Sequence, residues 1–230
     1  MDKLPNFIVI GAPKSGTTSL YYYLRQHPNT YLPVQKELHY FSYKQLKENT
    51  NGPGDRQVLN SLCANRDEYD KHYASVRAEH AVGDISPSYL YYGVQKQIQQ
   101  ELGPIKIIVM LRNPVDKAYS QYMHLVRDQR ETFPFYKALQ AEESRRGWSD
   151  IWRYAESSLY AERLQAYMDC FGRENVHVII FDEFIKDPQS IMVSLFKFLG
   201  LNENVTVNTQ EKYNRTGKTR RAGGPDGKLR

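Results

Sequence analysis

The chain has 230 residues, 40% of them hydrophobic, and a formal charge of +5, which suits one core and one domain on the usual scale of roughly 100 to 200 residues. The charge is lopsided: residues 212–230 carry seven basic groups and the single acid Asp226, a net of +6 that leaves −1 on residues 1–211, so the body lacks the evenly basic face of a duplex binder and no nucleic-acid partner is expected. No apolar run is long enough to span a bilayer or act as a secretory leader, and Cys63 and Cys170 stand apart without metal or disulfide spacing; a cytoplasmic protein with reduced thiols and no membrane partner is the expectation.

In chain order, Phe7–Ile10 is a short apolar strand and Thr17–Gln26 a helix. Asn49–Asp55, rich in Asn, Gly and Pro, reads as a surface loop. Ala81–Ile85 is the next strand, Ser88–Gln100 a Tyr-rich helix, Ile105–Leu111 a strand, and Pro114–Arg127 and Phe133–Arg145 are helices. Within Ser157–Phe171 the residues Tyr160, Leu164, Tyr167 and Phe171 share one helix face. Val176–Phe181 is the last strand. The last helix is bounded by Asp187 as N-cap, Pro188 at its first position and Gly200 at its end. Short β-branched runs alternating with helices predict an α/β fold: one three-layer domain, a central parallel sheet flanked by helices, with ligands beyond the carboxyl ends of the strands. The domain is set at residues 1–211, and 212–230 form a basic, Gly-rich tail, either a partial nucleotide lid or a truncated one.

The first strand runs into Gly11-Ala12-Pro13-Lys14-Ser15-Gly16-Thr17-Thr18-Ser19-Leu20 and then a helix, so loop and helix N–H groups converge as an anion site. Its Gly-x4-Gly spacing resembles the P-loop of nucleotide hydrolases, but Thr17 stands where that motif has lysine; the loop's lysine is Lys14. No second strand-end carboxylate for Mg²⁺ is evident, which suits an anion without a chelated metal. A plain helix-capping turn is the bland alternative. Arg112 ends the third strand and Asn113-Pro114 read as N-cap and first helical residue, a second anion site beside the first. The six histidines are scattered without metal-ligand spacing, so no metal is predicted.

Gly11–Leu20, Lys36-Glu37-Leu38-His39-Tyr40-Phe41 and Leu111–Ser120 (Leu-Arg-Asn-Pro-Val-Asp-Lys-Ala-Tyr-Ser) together resemble the sulfotransferases that use 3′-phosphoadenosine-5′-phosphosulfate (PAPS), above all bacterial members and the heparan-sulfate and carbohydrate branch. The resemblance runs from about Asn6 to Leu201. It implies a P-loop nucleotide-hydrolase-like fold, PAPS as sulfuryl donor with 3′-phosphoadenosine-5′-phosphate (PAP) as product, and an acceptor hydroxyl or amine on a carbohydrate or small metabolite. It further implies that Lys14 contacts the bridging oxygen and sulfuryl group, that Ser15, Gly16, Thr17, Thr18 and Ser19 cradle the 5′-phosphosulfate, and that Arg112 and Ser120 bind the 3′-phosphate. Glu37 matches the general base of the carbohydrate branch, with His39 the rival base; Lys36, His39 and His124 are placed on the acceptor side. Where carbohydrate relatives often carry Glu-Lys-Ser or Glu-Lys-Thr, this chain has Asp84-Ile85-Ser86-Pro87, and Ile85 in place of that lysine points away from heparan sulfate. The competing readings are a small-molecule or nucleotide kinase and a non-catalytic nucleotide-binding interaction protein.

Overall fold

The computed structural model describes residues 4–210. Its elements are β1 (Phe7–Gly11), α1 (Thr17–Leu24), β2 (Thr30–Tyr31), α2 (Tyr43–Glu48), α3 (Asp55–Leu59), α4 (Arg66–Lys71), β3 (Ala81–Ile85), α5 (Ser88–Tyr92), α6 (Gln95–Leu102), β4 (Lys106–Leu111), α7 (Pro114–Arg127), α8 (Phe135–Gln140), α9 (Ala161–Phe171), β5 (Val176–Ile180), α10 (Phe181–Lys186) and α11 (Pro188–Leu199). The five strands form one parallel sheet in the order β2-β3-β1-β4-β5. This is the predicted three-layer α/β fold.

Alternation along the central strands divides the core. Ile8 and Ile10 of β1 with Ile107 and Val109 of β4 face one side, against Tyr89, Ile98, Tyr167 and Phe171. Phe7 and Val9 with Ile108 and Met110 face the other, against Leu20 and Leu24 of α1 and Met192, Leu195, Phe196 and Leu199 of α11. A strand whose two faces are both covered has to be apolar throughout, which is why β1 and β4 read as unbroken hydrophobic runs. Because β1 lies between β3 and β4, its carboxyl end and theirs open into one crevice.

Several local expectations change. The helix expected over Ser88–Gln100 is two, because Gly93 turns into left-handed backbone (φ 62°) between α5 and α6. The stretch expected as a helix from Phe133 to Arg145 holds only the six residues of α8 and a 3₁₀ turn at Glu142–Ser144. The helix expected from Ser157 starts at Ala161. The turn-rich Asn49–Asp55 run is not all surface, since Gly52 and Asp55 are buried. The last helix has the predicted ends: Asp187 Oδ1 accepts from Ser190 N at 3.0 Å, and Gly200 has φ 75°. No helix of the described residues is long and apolar enough to cross a membrane. Residues 212–230, expected as a basic tail, lie outside the described residues.

Candidate functional site

At the end of β1 the chain must leave the sheet and enter α1 within five residues. Gly16 takes φ 94° at the N-cap of α1, and a Cβ there would come within 3.1 Å of the Phe181 ring and 3.2 Å of Met110, so both conformation and space require glycine. Lys14 adopts φ 64° without that freedom. Among the described residues four non-glycine residues have positive φ, and three of them are Lys14, Glu37 (φ 65°) and His39 (φ 52°). Such backbone costs of order 1–3 kcal/mol per residue and persists only where its surroundings enforce it. Here the strain falls on the residues the motifs single out.

The second motif is pinned to the end of β3. Glu37 N donates to Ile85 O (3.1 Å) and His39 N to Ser86 Oγ (3.0 Å). Ser86 Oγ in turn donates to Asp84 Oδ1 (2.8 Å), while Tyr89 and Tyr69 donate to Asp84 Oδ2 at 2.8 and 3.1 Å. Burial pushes the Asp84 carboxyl above its ordinary value, and these donors offset part of the rise. His39 Nδ1 shares a hydrogen bond with Ser88 Oγ (2.5 Å), and Ser88 Oγ another with Ser42 Oγ (2.7 Å). That leaves His39 Nε2 turned toward Glu37 Oε2, 3.7 Å away.

Glu37 is enclosed by protein yet 43% of its side chain is exposed to the cleft. Its surroundings alone would raise the carboxyl, but the ammonium of Lys36, which pairs with it, and His39 pull it well below the ordinary carboxylate range. Glu37 is therefore ionised at neutral pH. Burial lowers the Lys14 ammonium from its ordinary value, with Arg127 adding to the fall and Glu37 opposing it. Burial, then Lys14, likewise lowers His124, so its ring is neutral at pH 7.

Arg112 ends β4. Its Nη1 donates to Lys14 O (3.3 Å), its guanidinium lies 4.8 Å from the Phe181 ring centroid, and its buried Nε has no hydrogen-bond partner among the described residues. The helix that follows is capped as predicted, Asn113 Oδ1 accepting from Val115 N (3.0 Å) and Asp116 N (3.4 Å). Ser120 lies on α7, where its side chain is buried against the cleft.

One cleft of about 680 Å³ gathers these groups: Lys14, Gly16, Thr17, Thr18, Ser19, Glu37, His39, Arg112, Ser120 and His124 all line it. Ser15 and Lys36 do not. Ser15 is fully buried, and Lys36 is paired with Glu37. Tyr23, Phe181 and Phe184 line the end next to the loop; α10 follows the last strand directly, a fourth strand end that reading for polar motifs passes over. Among the described residues no three His, Cys, Asp or Glu side chains are gathered as metal ligands.

Asp55 is the largest omission from the motif reading. Its carboxylate, 1% exposed, accepts from Arg130 Nη2 (2.6 Å), Ser149 Oγ (2.8 Å), Trp152 Nε1 (3.0 Å), Gly52 N (3.0 Å) and Ser149 N (3.1 Å). It thereby ties α3 to the segment after α7 and to residues 149–152, three parts of one cleft wall. Removing it leaves a guanidinium, a hydroxyl and an indole N–H without their acceptor, so Asp55→Ala is expected to lower unfolding stability by about 3 kcal/mol. Urea denaturation followed by tryptophan fluorescence checks this; an unshifted midpoint would show the hub to be dispensable.

Comparison with known proteins gives concordant results. Residues 5–204 match the family described as the Sulfotransferase family. Among curated proteins the chain is similar to the membrane-associated sulfotransferase kil1 of Dictyostelium discoideum, 25% identical over 86% of this chain and 56% of that protein. It is also similar to heparan sulfate glucosamine 3-O-sulfotransferase 3B1 of Mus musculus, 24% identical over 89% of this chain and 48% of that protein. The chain thus spans about half the length of these curated relatives. Among solved structures, a sulfotransferase from Alicyclobacillus acidocaldarius superposes with a TM-score of 0.87 at 41% identity, covering 92% of this chain and 87% of that one. A mouse sulfotransferase complexed with PAP shares the fold, with a TM-score of 0.54 at 17% identity over 87% of this chain and 60% of that one.

Proposed function

The chain belongs to the sulfotransferase family, and from that premise we propose that its cleft takes PAPS and passes the sulfuryl group, without a metal, to a hydroxyl or amine of a carbohydrate or small metabolite. The observation that carries this reading is the meeting of Lys14, Glu37 and Arg112 in one cleft, two of them on left-handed backbone. The residues fit such a donor. Lys14, Gly16, Thr17, Thr18 and Ser19 of the loop line the cleft, the N-terminus of α1 offers amides to an anion, and buried Arg112 Nε awaits an acceptor. PAP is the ligand named for the mouse neighbour, which supports the same nucleotide here.

When bound, PAPS supplies a sulfuryl group activated by its phosphate leaving group. The loop amides with Thr17, Thr18 and Ser19 hold the 5′ oxygens, and Lys14 neutralises the charge that gathers on the leaving phosphate. Glu37, kept ionised by Lys36 and aligned by the His39–Ser88–Ser42 chain, takes the proton of the acceptor. Arg112 and Ser120 hold the 3′-phosphate. Ser15, Lys36 and His124 complete the set, Ser15 from beneath the loop and His124 from the acceptor side. The cytoplasmic setting is part of the same proposal.

Arg112→Ala provides the test of nucleotide choice. It is expected to weaken PAP binding roughly 10- to 100-fold, the about 1.5–3 kcal/mol of a hydrogen bond to a charged group, and to leave AMP, which lacks the 3′-phosphate, unchanged. Calorimetry of both nucleotides reads the difference. Equal loss for the two would remove Arg112 from the 3′-phosphate site.

A further inference from the structure

The part of the cleft lining that α2, α3 and residues 149–151 contribute has a composition of its own. Leu46 of α2, Val58 and Leu59 of α3 and Ile151 give it aliphatic surface. Of its three carboxyl groups, Asp55 is 1% exposed and paired with Arg130 and Asp150 is buried, so Glu37 is the carboxylate that faces an acceptor. Apart from Lys14 at the boundary the one fixed cation that lines it among the described residues is Arg130. That guanidinium is already engaged: Nη2 donates to Asp55 (2.6 Å), Nε to Pro53 O (2.5 Å), and the group lies 5.3 Å from the centroid of the Trp152 ring. A sulfated or carboxylated sugar entering here would meet apolar surface and the Glu37 carboxylate, with no unengaged cation beyond Lys14 among the described residues that line it, and like charges across a contact exclude a partner more strongly than opposite charges recruit one. A neutral molecule with an apolar body would instead displace water from Leu46, Leu59 and Ile151.

We propose that the acceptor is a small uncharged alcohol or phenol with an aliphatic or aromatic body, seated on the α2–α3 wall with its hydroxyl turned to Glu37, and not a polyanionic glycan. The proposal rests on the sulfuryl-transfer reading and deepens it. In the step it implies, the acceptor oxygen forms a bond to sulfur as the sulfur–oxygen bond to the PAPS phosphate breaks. The hydroxyl proton passes to the Glu37 carboxylate, and the electron pair of the broken bond leaves on the phosphate of PAP. Nothing is oxidised or reduced.

Val58 is the position at which to test it, because it lines the cleft yet is 41% exposed, so its replacement leaves the core intact. Binding of naphthol, phenylpropanol and octanol to the PAP-saturated full chain is measured by calorimetry, and sulfation of each by transfer of label from PAPS, beside an N-sulfated heparosan oligosaccharide. At least one neutral alcohol is expected to bind and be sulfated in preference to the oligosaccharide. Val58→Glu and Val58→Arg should each weaken that alcohol's binding about tenfold, the scale on which an apolar pocket registers such changes, with PAP affinity retained. Preference for the oligosaccharide, improved further by Val58→Arg, would overturn the proposal, as would PAP binding with none of the three alcohols bound. Failure of wild-type protein to bind PAP would instead overturn the sulfuryl-transfer reading beneath it.

Discussion

Lys14→Ala is expected to lower kcat about 10²- to 10³-fold, the loss seen when one preorganised donor to a developing oxyanion is removed, while PAP affinity falls far less. The asymmetry follows from where charge changes. In the proposed mechanism, loop amides and Arg112 hold phosphate oxygens that are charged before and after transfer, whereas Lys14 faces charge that grows only as the bond to sulfur breaks. The pH profile carries a second signature. Burial lowers the Lys14 ammonium from its ordinary value of 10.5, so it loses its proton earlier than a free lysine would, and transfer should decline on the alkaline side before pH 10.5. Lys14→Arg, which keeps its charge throughout, should lose that decline even if slower overall. Normal turnover by Lys14→Ala, or a loss confined to KM, would remove Lys14 from the leaving-group role.

Glu37→Gln should reduce kcat by roughly 10²- to 10⁴-fold, the range of a positioned general base, with PAP affinity nearly unchanged because the amide keeps the shape of the side chain. The acid side of the wild-type profile is fixed by the same environment. A carboxyl held below its ordinary value by Lys36 and His39 stays ionised as pH falls through the usual carboxylate range, so transfer should persist there and not halve near pH 4.5. Single-turnover rates across that range, over which the fold must first be shown intact by circular dichroism, check the prediction. An unchanged rate in Glu37→Gln would pass the base role to His39, whose Nε2 lies 3.7 Å from the same carboxylate.

Much of this architecture is legible in the chain. Strands covered on both faces announce themselves as apolar runs, and α7 and α11 carry an Asn or Asp cap followed by proline, signals that are local and survive any tertiary context. Features that depend on distant partners are not legible. β2 has two residues and no period of its own; it exists because Thr30 and Tyr31 pair with Ala81 and Val82. Asp55 sits among turn residues and reads as loop, whereas its role is set by Arg130, Ser149 and Trp152, 75 to 97 positions away. The aliphatic part of the cleft is hidden for the same reason, since Leu46, Val58, Leu59 and Ile151 carry no motif and share a lining with Glu37 only in the folded chain. Lys117 is fully buried one turn before Ser120, donating to Ser157 Oγ, with burial lowering its ammonium to about 7; its charged type gave no sign of that environment.

The loop and Arg112 are proposed to form a metal-free site for a nucleotide bearing a 3′-phosphate. Titration of the full chain with PAP in the presence of a chelator, and separately with ATP and Mg²⁺, tests it most directly. Tight PAP binding without metal, with ATP unable to compete at equal concentration, is the result predicted here; preference for ATP with Mg²⁺ would contradict it and turn the cleft into a phosphoryl-transfer site.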